Sequence, residues 1–200
     1  MHQLFQNKYI YMITREELTG KNHEEIRQML ESDIASFKAE VSTVESEQEL
    51  LDKESELMIK MDEYQEYMKG VEYDLQDECT FDNQLYSRRG ISDMIIDFIN
   101  TQEVQYEYVN GMFELVKLWR TKDLHKISYG AYDSTLRILN MVKFKGYNQW
   151  RSILTINEYL SNCHLAYAAD AGYAIYLGHL HSAILDQMKV FHPEEELPKE

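Results

Sequence analysis

The sequence predicts an all-α protein in which an acidic helical arm or helical hairpin precedes a C-terminal helical bundle. Only two prolines occur in 200 residues, and both lie within the last eight positions. Turns in all-β proteins concentrate proline and glycine, so a chain almost without proline favours helices. A hydrophobic fraction of 44% is sufficient for a sizeable core.

The distribution of charge predicts two domains, residues 1–80 and 81–200. The first 80 residues have 20 acidic and 8 basic side chains, whereas the remainder has 15 acidic and 12 basic ones. We expect residues 1–80 to form the acidic arm or hairpin with an N-terminal docking segment, and residues 81–200 to form the bundle. An acidic arm repels DNA phosphates, so direct binding of nucleic acid is not expected.

The first 13 residues show no clear helical period and predict an extended arm that adds to a neighbouring chain. A frayed terminus and a true start at Met12 are the alternatives. The arm contributes four candidate interaction residues, which are Leu4, Phe5, Ile10 and Tyr11.

A helix is predicted from Asn22, which serves as its N-cap. Apolar residues then recur at alternating steps of four and three, as in a coiled-coil seam. The seam supplies further candidate interaction residues: Ile26, Leu30, Ile34, Phe37, Val41 and Val44. A second register runs from Leu50 to Leu75, which indicates either one long helix with a stutter or a hairpin turning near residues 42–47. The hairpin is favoured.

Further along the chain, glycines and apolar periods delimit the next elements. Gly70 is a predicted helix end, and residues 76–90 are predicted to be a connector closed by Gly90. From Ser92 to about Arg120, one apolar stripe that includes Ile95, Tyr106 and Phe113 predicts a single helix.

Asp123 is predicted to cap a helix that ends at Gly146. Asn148 opens the last helical region, which runs towards His192. One helix of this length would be about 65 Å long at a rise of about 1.5 Å per residue. We therefore expect a break near Asn162 or Gly172.

The most apolar stretch, AYAADAGYAIYLGHLHSAIL at residues 166–185, is predicted to be a central core helix. Its polar residues Asp170, His179 and His181 exclude a membrane span, which needs roughly 18 uncharged apolar residues. The face formed by small residues lets another helix approach closely: Ala168, Ala171, Gly172, Gly178 and Ser182. The opposite face is apolar, with Leu177, Leu180 and Ile184. Asp170 is either a cap at a helix break, which is favoured, or a buried carboxylate paired with Arg or Tyr.

The sequence contains no recognised catalytic or metal-binding motif. No histidine follows a glutamate at the Glu-x-x-His spacing of di-iron bundles, and there is no phosphate-binding glycine loop or Gly-x-Ser-x-Gly sequence. The prediction is no enzyme, no cofactor and no metal, with Asp170, His164, His179 and His181 apart from one another. Cys79 and Cys163 lack metal spacing, so a reduced, intracellular chain is expected.

Basic residues are few but locally grouped. Arg88 and Arg89 are adjacent, and a second set lies around Trp119: Lys117, Arg120, Lys122 and Lys126. With nearby tyrosines it resembles a surface that contacts nucleic acid. The favoured interpretation is that these residues pair with the acidic half of the same chain or of a neighbouring subunit.

The leading functional hypothesis is a structural or adaptor subunit of a larger protein assembly, either a homo-oligomer or a complex with other proteins. Inter-subunit contacts are expected from residues 1–75, and 15 tyrosines suit interfaces. A preference for residues with AT-rich codons makes a phage particle the most concrete setting, as a connector, ring or internal protein. The alternatives are an acidic regulator that sequesters a basic or nucleic-acid-binding partner, and an enzyme whose site is not recognised.

Overall fold

The computed structural model describes residues 12–101, 108–141 and 146–192. The predicted all-α class is confirmed, because helices account for 76% of the structure and its strands form only two small antiparallel sheets in the described ranges. The elements of these ranges are α1 (Arg15–Leu18), α2 (His23–Ser42), α3 (Glu47–Lys69), β1 (Glu72–Asp74), β2 (Glu78–Phe81), β3 (Gln84–Ser87), α4 (Arg88–Asn100), α5 (Val109–Trp119), β4 (Lys126–Ser128), α6 (Tyr129–Met141) and α7 (Tyr147–Phe191).

The described residues divide into two compact units. The first unit contains the residues up to Glu66 together with those from Ala168 onwards, and the second contains residues 67–167. This grouping differs from the predicted boundary at residue 80. The difference arises because the C-terminal part of α7 packs with α2 and α3, although it is distant from them in sequence.

Helices α2 and α3 of the first unit form the predicted hairpin. The Asn22 side chain accepts a hydrogen bond from the Glu25 N–H at 3.0 Å, and the Glu25 carboxylate accepts one from the Asn22 N–H at 2.9 Å. The turn occupies residues 43–46, between the two helices. Most of the predicted seam is buried, namely Ile26, Leu30, Phe37, Val41 and Val44, whereas Ile34 is half-buried.

Asp170 is a buried carboxylate paired with arginine. Its side chain is fully buried, and its Oδ1 lies 2.8 Å from Nε of Arg15. Its backbone carbonyl accepts a hydrogen bond from the Tyr64 hydroxyl at 2.8 Å. The favoured interpretation of Asp170 as a cap is therefore wrong. The expected break near Asn162 or Gly172 is also wrong, because α7 is continuous from Tyr147 to Phe191.

The close helix approach predicted for the small face of α7 occurs at Gly172. A Cβ atom added there would lie 3.1 Å from Cγ2 of Ile26 and 3.4 Å from Cδ1 of Leu30, whereas one added at Gly178 would meet nothing within 4 Å. The predicted opposite face is buried, as shown by Leu177, Leu180 and Ile184. The stretch is thus part of the core of the first unit. None of the helices in the described ranges is long and apolar enough to span a membrane.

The second unit contains two strand pairs that the sequence analysis missed. β1 pairs antiparallel with β4, and β2 pairs antiparallel with β3. Asp82 and Asn83 connect β2 and β3 with φ angles of 51° and 58°, the positive values that a type I′ hairpin turn requires. The prediction of a connector at residues 76–90 closed by Gly90 is wrong. The hairpin leads directly into α4, whose N-cap Ser87 accepts a hydrogen bond from the Gly90 N–H at 3.3 Å.

Two helix boundaries predicted in this part of the chain are also wrong. The single helix from Ser92 to Arg120 is replaced by α4, which ends at Asn100, and α5, which begins at Val109; Tyr106 lies outside the described residues. Asp123 caps no helix, since it precedes strand β4. Ile127 is buried in that strand and pairs with Tyr73 of β1, so tertiary pairing overrides the local helical period.

The two glycines of α7 provide a matched test of the close approach to α2. We expect Gly178→Ala to raise the free energy of unfolding by about 1 kcal/mol, because alanine is the better helix former and the space is open. Gly172→Ala should yield a smaller gain or a loss, because the new methyl group would crowd Ile26. Denaturant unfolding followed by circular dichroism measures both changes. Equal stabilisation by the two substitutions would contradict the close packing at Gly172.

The buried ion pair of the first unit gives a second prediction. Arg15→Leu leaves the Asp170 carboxylate buried without this partner and should lower the free energy of unfolding by about 3 kcal/mol. Adding Asp170→Asn to that variant should restore part of the loss, because a neutral amide is less costly to bury. Arg27→Leu is the control, since Arg27 pairs with glutamates on the exposed surface of α2, and should change stability little. A similar effect of both arginine substitutions in denaturant titrations would contradict the role of Asp170.

Candidate functional site

The interaction residues predicted from the sequence fall into two groups in the structure. Leu4, Phe5, Ile10 and Tyr11 lie outside the described residues. The seam of α2 is covered by the first unit itself, so its buried side chains offer no free docking surface in this conformation. The expectation that residues 1–75 supply contacts between subunits stays a prediction.

Exposed apolar residues lie instead on segments at one end of the second unit. Trp119 at the end of α5 lines the same cavity as Ser92 near the start of α4, so the two helices run antiparallel. The start of α5 therefore lies at the C-terminal end of α4. At that same end, Phe98 of α4 lines a cavity of about 230 Å³ with Asn148 and Gln149 of α7. The starts of α5 and α7 thus lie at one end of this unit.

This apolar end is defined by five large side chains that are between 43% and 65% exposed. They are Tyr108, Val109, Phe113, Tyr147 and Trp150. Neither residues 108–113 nor residues 146–150 include a charged side chain. The rings of Tyr147 and Trp150 lie 5.8 Å apart between centroids. Exposed aromatic residues without charges are typical of the centre of a protein–protein interface.

A second feature, the cationic pocket, lies at the other end of α4. It is a cavity of about 460 Å³ between the start of α4 and the end of α5. Its lining residues are Arg88, Arg89, Ser92, Asp93, Trp119, Arg120, Thr121 and Lys122. The structure thus brings Arg88 and Arg89 together with two of the basic residues around Trp119, Arg120 and Lys122, while Lys117 and Lys126 do not line the cavity.

Arg88 is held rigidly at this pocket. Its guanidinium forms an ion pair with Asp77 and donates a hydrogen bond to the Leu124 carbonyl at 2.6 Å. The same guanidinium lies 2.8 Å from Nδ1 of His125. Only 14% of its side chain is exposed. Arg88 therefore joins the β2–β3 hairpin to the loop before β4 and fixes one wall of the pocket.

The other basic residues of the pocket are exposed and, unlike Arg88, are not held by an ion pair in the described residues. Arg89, Arg120 and Lys122 form no ion pair within the described part of the chain. The favoured interpretation that the basic group pairs with residues 1–80 of the same chain holds for Arg88, through Asp77, and for Lys126, which lies 3.8 Å from Asp74. The three remaining cations of the pocket are left facing solvent.

The polar residues of the apolar stretch and His164, which the sequence predicts to be apart, each have a different environment in the structure. His164 and His179 are exposed, and Nε2 of His181 lies 3.4 Å from Oε1 of Glu54. Asp170 is engaged with Arg15. Within the described ranges, no three His, Cys, Asp or Glu side chains are grouped in a way that could hold a metal ion.

Both cysteines are buried, free thiols of the second unit. Burial raises the pKa of the Cys79 thiol, and burial together with the nearby Asp74 raises that of Cys163 to about 11. The Cys163 thiol donates a hydrogen bond to the Asp74 carbonyl at 3.3 Å. Because a protonated thiol is a weak nucleophile, neither environment is that of a reactive cysteine.

The first unit is strongly acidic. Its described residues include 18 acidic and 7 basic side chains, a net charge of −11. Some of the carboxylates are paired, as in the contact between Glu40 and Lys53 at 3.1 Å. Docking of this surface on a basic partner stays a prediction.

No protein-family model matches this sequence, and comparison with curated proteins and with solved structures gave no match. Functional inference therefore depends on the apolar end, the cationic pocket and the charge of the described residues.

Tyrosines buried in the second unit predict how the stability of the protein depends on alkaline pH. Burial raises the pKa of Tyr159 to about 12, and its hydroxyl donates to the Gln76 carbonyl at 2.7 Å. Because the neutral form is favoured in the folded state, its contribution is complete below pH 10 and is lost as the pH rises towards 12. Tyr159→Phe should cost about 1 kcal/mol at pH 7 through loss of the hydrogen bond. The same variant should lose less stability than the parent between pH 10 and pH 12.

Urea titrations at neutral pH and across this alkaline range measure both effects. Tyr108→Phe is the control, because the Tyr108 side chain is exposed. An identical alkaline slope for the parent and Tyr159→Phe would contradict the assignment.

Proposed function

We propose that this protein is a structural or adaptor subunit of a larger assembly, and that it associates with further copies of itself through the apolar end of the second unit. The observation that carries the proposal is the exposure of five large apolar side chains on two segments without charge. Large exposed apolar patches are rare on monomeric proteins, and where they occur they commonly mark a site of protein association.

The absence of charge in these two segments favours a second copy of the chain as the partner. In a symmetric dimer, residues near the two-fold axis meet the same residues of the other subunit, so charged groups there repel one another. The segments at residues 108–113 and 146–150 contain no charged side chain, and the cation that lies against them is Lys117, whose Nζ is 4.6 Å from the centre of the Phe113 ring. The first unit, with a net charge of −11, is far less suited to contact its own copy.

Tyrosine and tryptophan supply the anchors that such an interface needs. Trp150 and Tyr147 bury large areas on contact while retaining polar groups for hydrogen bonds. A standard interface covers about 800 Å² on each partner, so polar neighbours such as Asn148 would form its rim. Binding without catalysis is the activity that this surface supports. A virion is the setting that the composition of the chain favours, and the cytoplasm of a cell is the alternative.

The test compares two charge insertions. The parent protein should show a mass in light scattering well above 23.8 kDa. The double substitution Phe113→Asp and Trp150→Asp should return the mass to that of a monomer, because each new carboxylate would be buried opposite its own copy. Leu85→Asp is the matched control, since Leu85 is an exposed apolar residue of β3 in the same unit and lies outside the apolar end. This control should leave the mass unchanged.

Either of two results would overturn the proposal. One is a parent protein that remains monomeric at high concentration. The other is an oligomer whose mass is insensitive to the double substitution, which would move the interface away from the apolar end. Circular dichroism of each variant confirms that the helices are retained.

A further inference from the structure

We propose that the cationic pocket is a binding site for the phosphate group of a small phosphorylated ligand. The inference is independent of the proposed assembly, since it concerns the opposite end of α4 from the apolar end.

Three basic side chains of the cationic pocket form no ion pair in the described ranges. In this chain, acidic residues outnumber basic ones by 35 to 20, so a basic side chain readily finds a carboxylate. Arg89, Arg120 and Lys122 nevertheless form no ion pair in the described ranges. Asp93 is the only acidic residue among the lining side chains. With Arg88 neutralised by Asp77, the three unpaired cations and Asp93 leave the pocket with a net positive charge in a strongly acidic protein.

A hydroxyl group at the wall of the pocket is available to a ligand. Ser92 lines the pocket, and only 6% of its surface is exposed. Its hydroxyl forms no hydrogen bond within the described part of the chain. Within the described residues, the fully buried side-chain polar atom without a hydrogen-bond partner is Nε of Arg151, so the Ser92 hydroxyl keeps some exposure at the pocket wall. A phosphate oxygen in the pocket would accept a hydrogen bond from Ser92 while the guanidinium groups neutralise its charge.

One wall of the pocket is already fixed. Arg88 is held by Asp77, the Leu124 carbonyl and His125, so the wall that it forms needs no rearrangement when a ligand binds. The pocket also lies at the N-terminal end of α4, a helix of 13 residues. The positive end of the helix dipole adds to the attraction for a negatively charged group.

Size and surroundings define the class of ligand. A volume of about 460 Å³ exceeds what one phosphate group needs and lies in the range of small-molecule sites. Trp119 is 1% exposed and its Nε1 donates to the Thr135 hydroxyl, so its ring offers no face on which a base could stack. The cations converge on one cavity instead of following a groove, and the first unit is acidic. A small phosphorylated molecule therefore fits better than a nucleic-acid strand.

The experiment is a calorimetric titration of the full chain with pyrophosphate at low ionic strength. Binding is expected for the parent protein. Arg89→Gln and Arg120→Gln should each weaken it about tenfold, the usual effect of losing a hydrogen bond to a charged group. Both side chains are exposed, so the fold should be unaffected. Lys126→Gln is the matched control, because it removes one positive charge from the same unit outside the pocket, and it should leave the affinity within about twofold of the parent value.

Ser92→Ala separates a built site from general attraction to positive charge. This substitution changes no charge, and a severalfold loss of affinity is expected because the hydrogen bond to phosphate is lost. Three results would overturn the proposal. They are the absence of binding at millimolar pyrophosphate, equal losses for Arg120→Gln and Lys126→Gln, and tighter binding of a single-stranded oligonucleotide or an acidic peptide than of pyrophosphate at the same salt concentration.

Discussion

The first unit depends on polar contacts that α7 makes with each of the three helices preceding it in that unit. The Asp170 carboxylate pairs with Arg15 of α1, and its carbonyl accepts from Tyr64 of α3. One turn and a half later, the Tyr176 hydroxyl donates to Asp33 of α2 and accepts from the Ile13 N–H at 3.2 Å. Apolar packing alone permits helices to slide or rotate, whereas a buried ion pair and directed hydrogen bonds are satisfied in one arrangement only. These contacts therefore select the packing of a unit whose apolar seams are simple repeats.

Features that depend on neighbouring residues were predictable from the sequence. The Asn22 cap, the seam of α2 and the turn between α2 and α3 follow from spacings of three or four residues. The partner of Asp170 did not, because Arg15 is 155 positions away and nothing local identifies it. The favoured interpretation of Asp170 as a cap assumed that its charged side chain had to be exposed to solvent at a break in the helix. A distant arginine satisfied the carboxylate and left α7 intact.

The second unit was less predictable because its strands are short and its pairings are not local. β1 and β4 have three residues each and are separated by more than 50 positions, so no alternating pattern is long enough to reveal them. The Asp82-Asn83 turn lacks the glycine that usually signals a hairpin. The cationic pocket was partly predictable, since the sequence shows Arg88 and Arg89 as one basic group and Arg120 and Lys122 in another around Trp119. That the two groups meet required the structure. Which of them would remain unpaired depends on where Asp77 lies in the fold, and that required the structure.

The two candidate sites of the second unit differ in the force on which each depends, so each can be studied without disturbing the other. The apolar end and the cationic pocket lie at opposite ends of α4, which is about 20 Å long at about 1.5 Å per residue. Contact through uncharged aromatic residues persists or strengthens as salt is added, whereas attraction of phosphate to exposed arginines is screened beyond about 10 Å at 0.1 M salt. Ionic strength therefore acts on the two associations in opposite directions. Because the lining of the pocket lies away from the apolar end, copies joined at that end would keep their pockets open to solvent, and the proposed ligand would not compete with the proposed assembly.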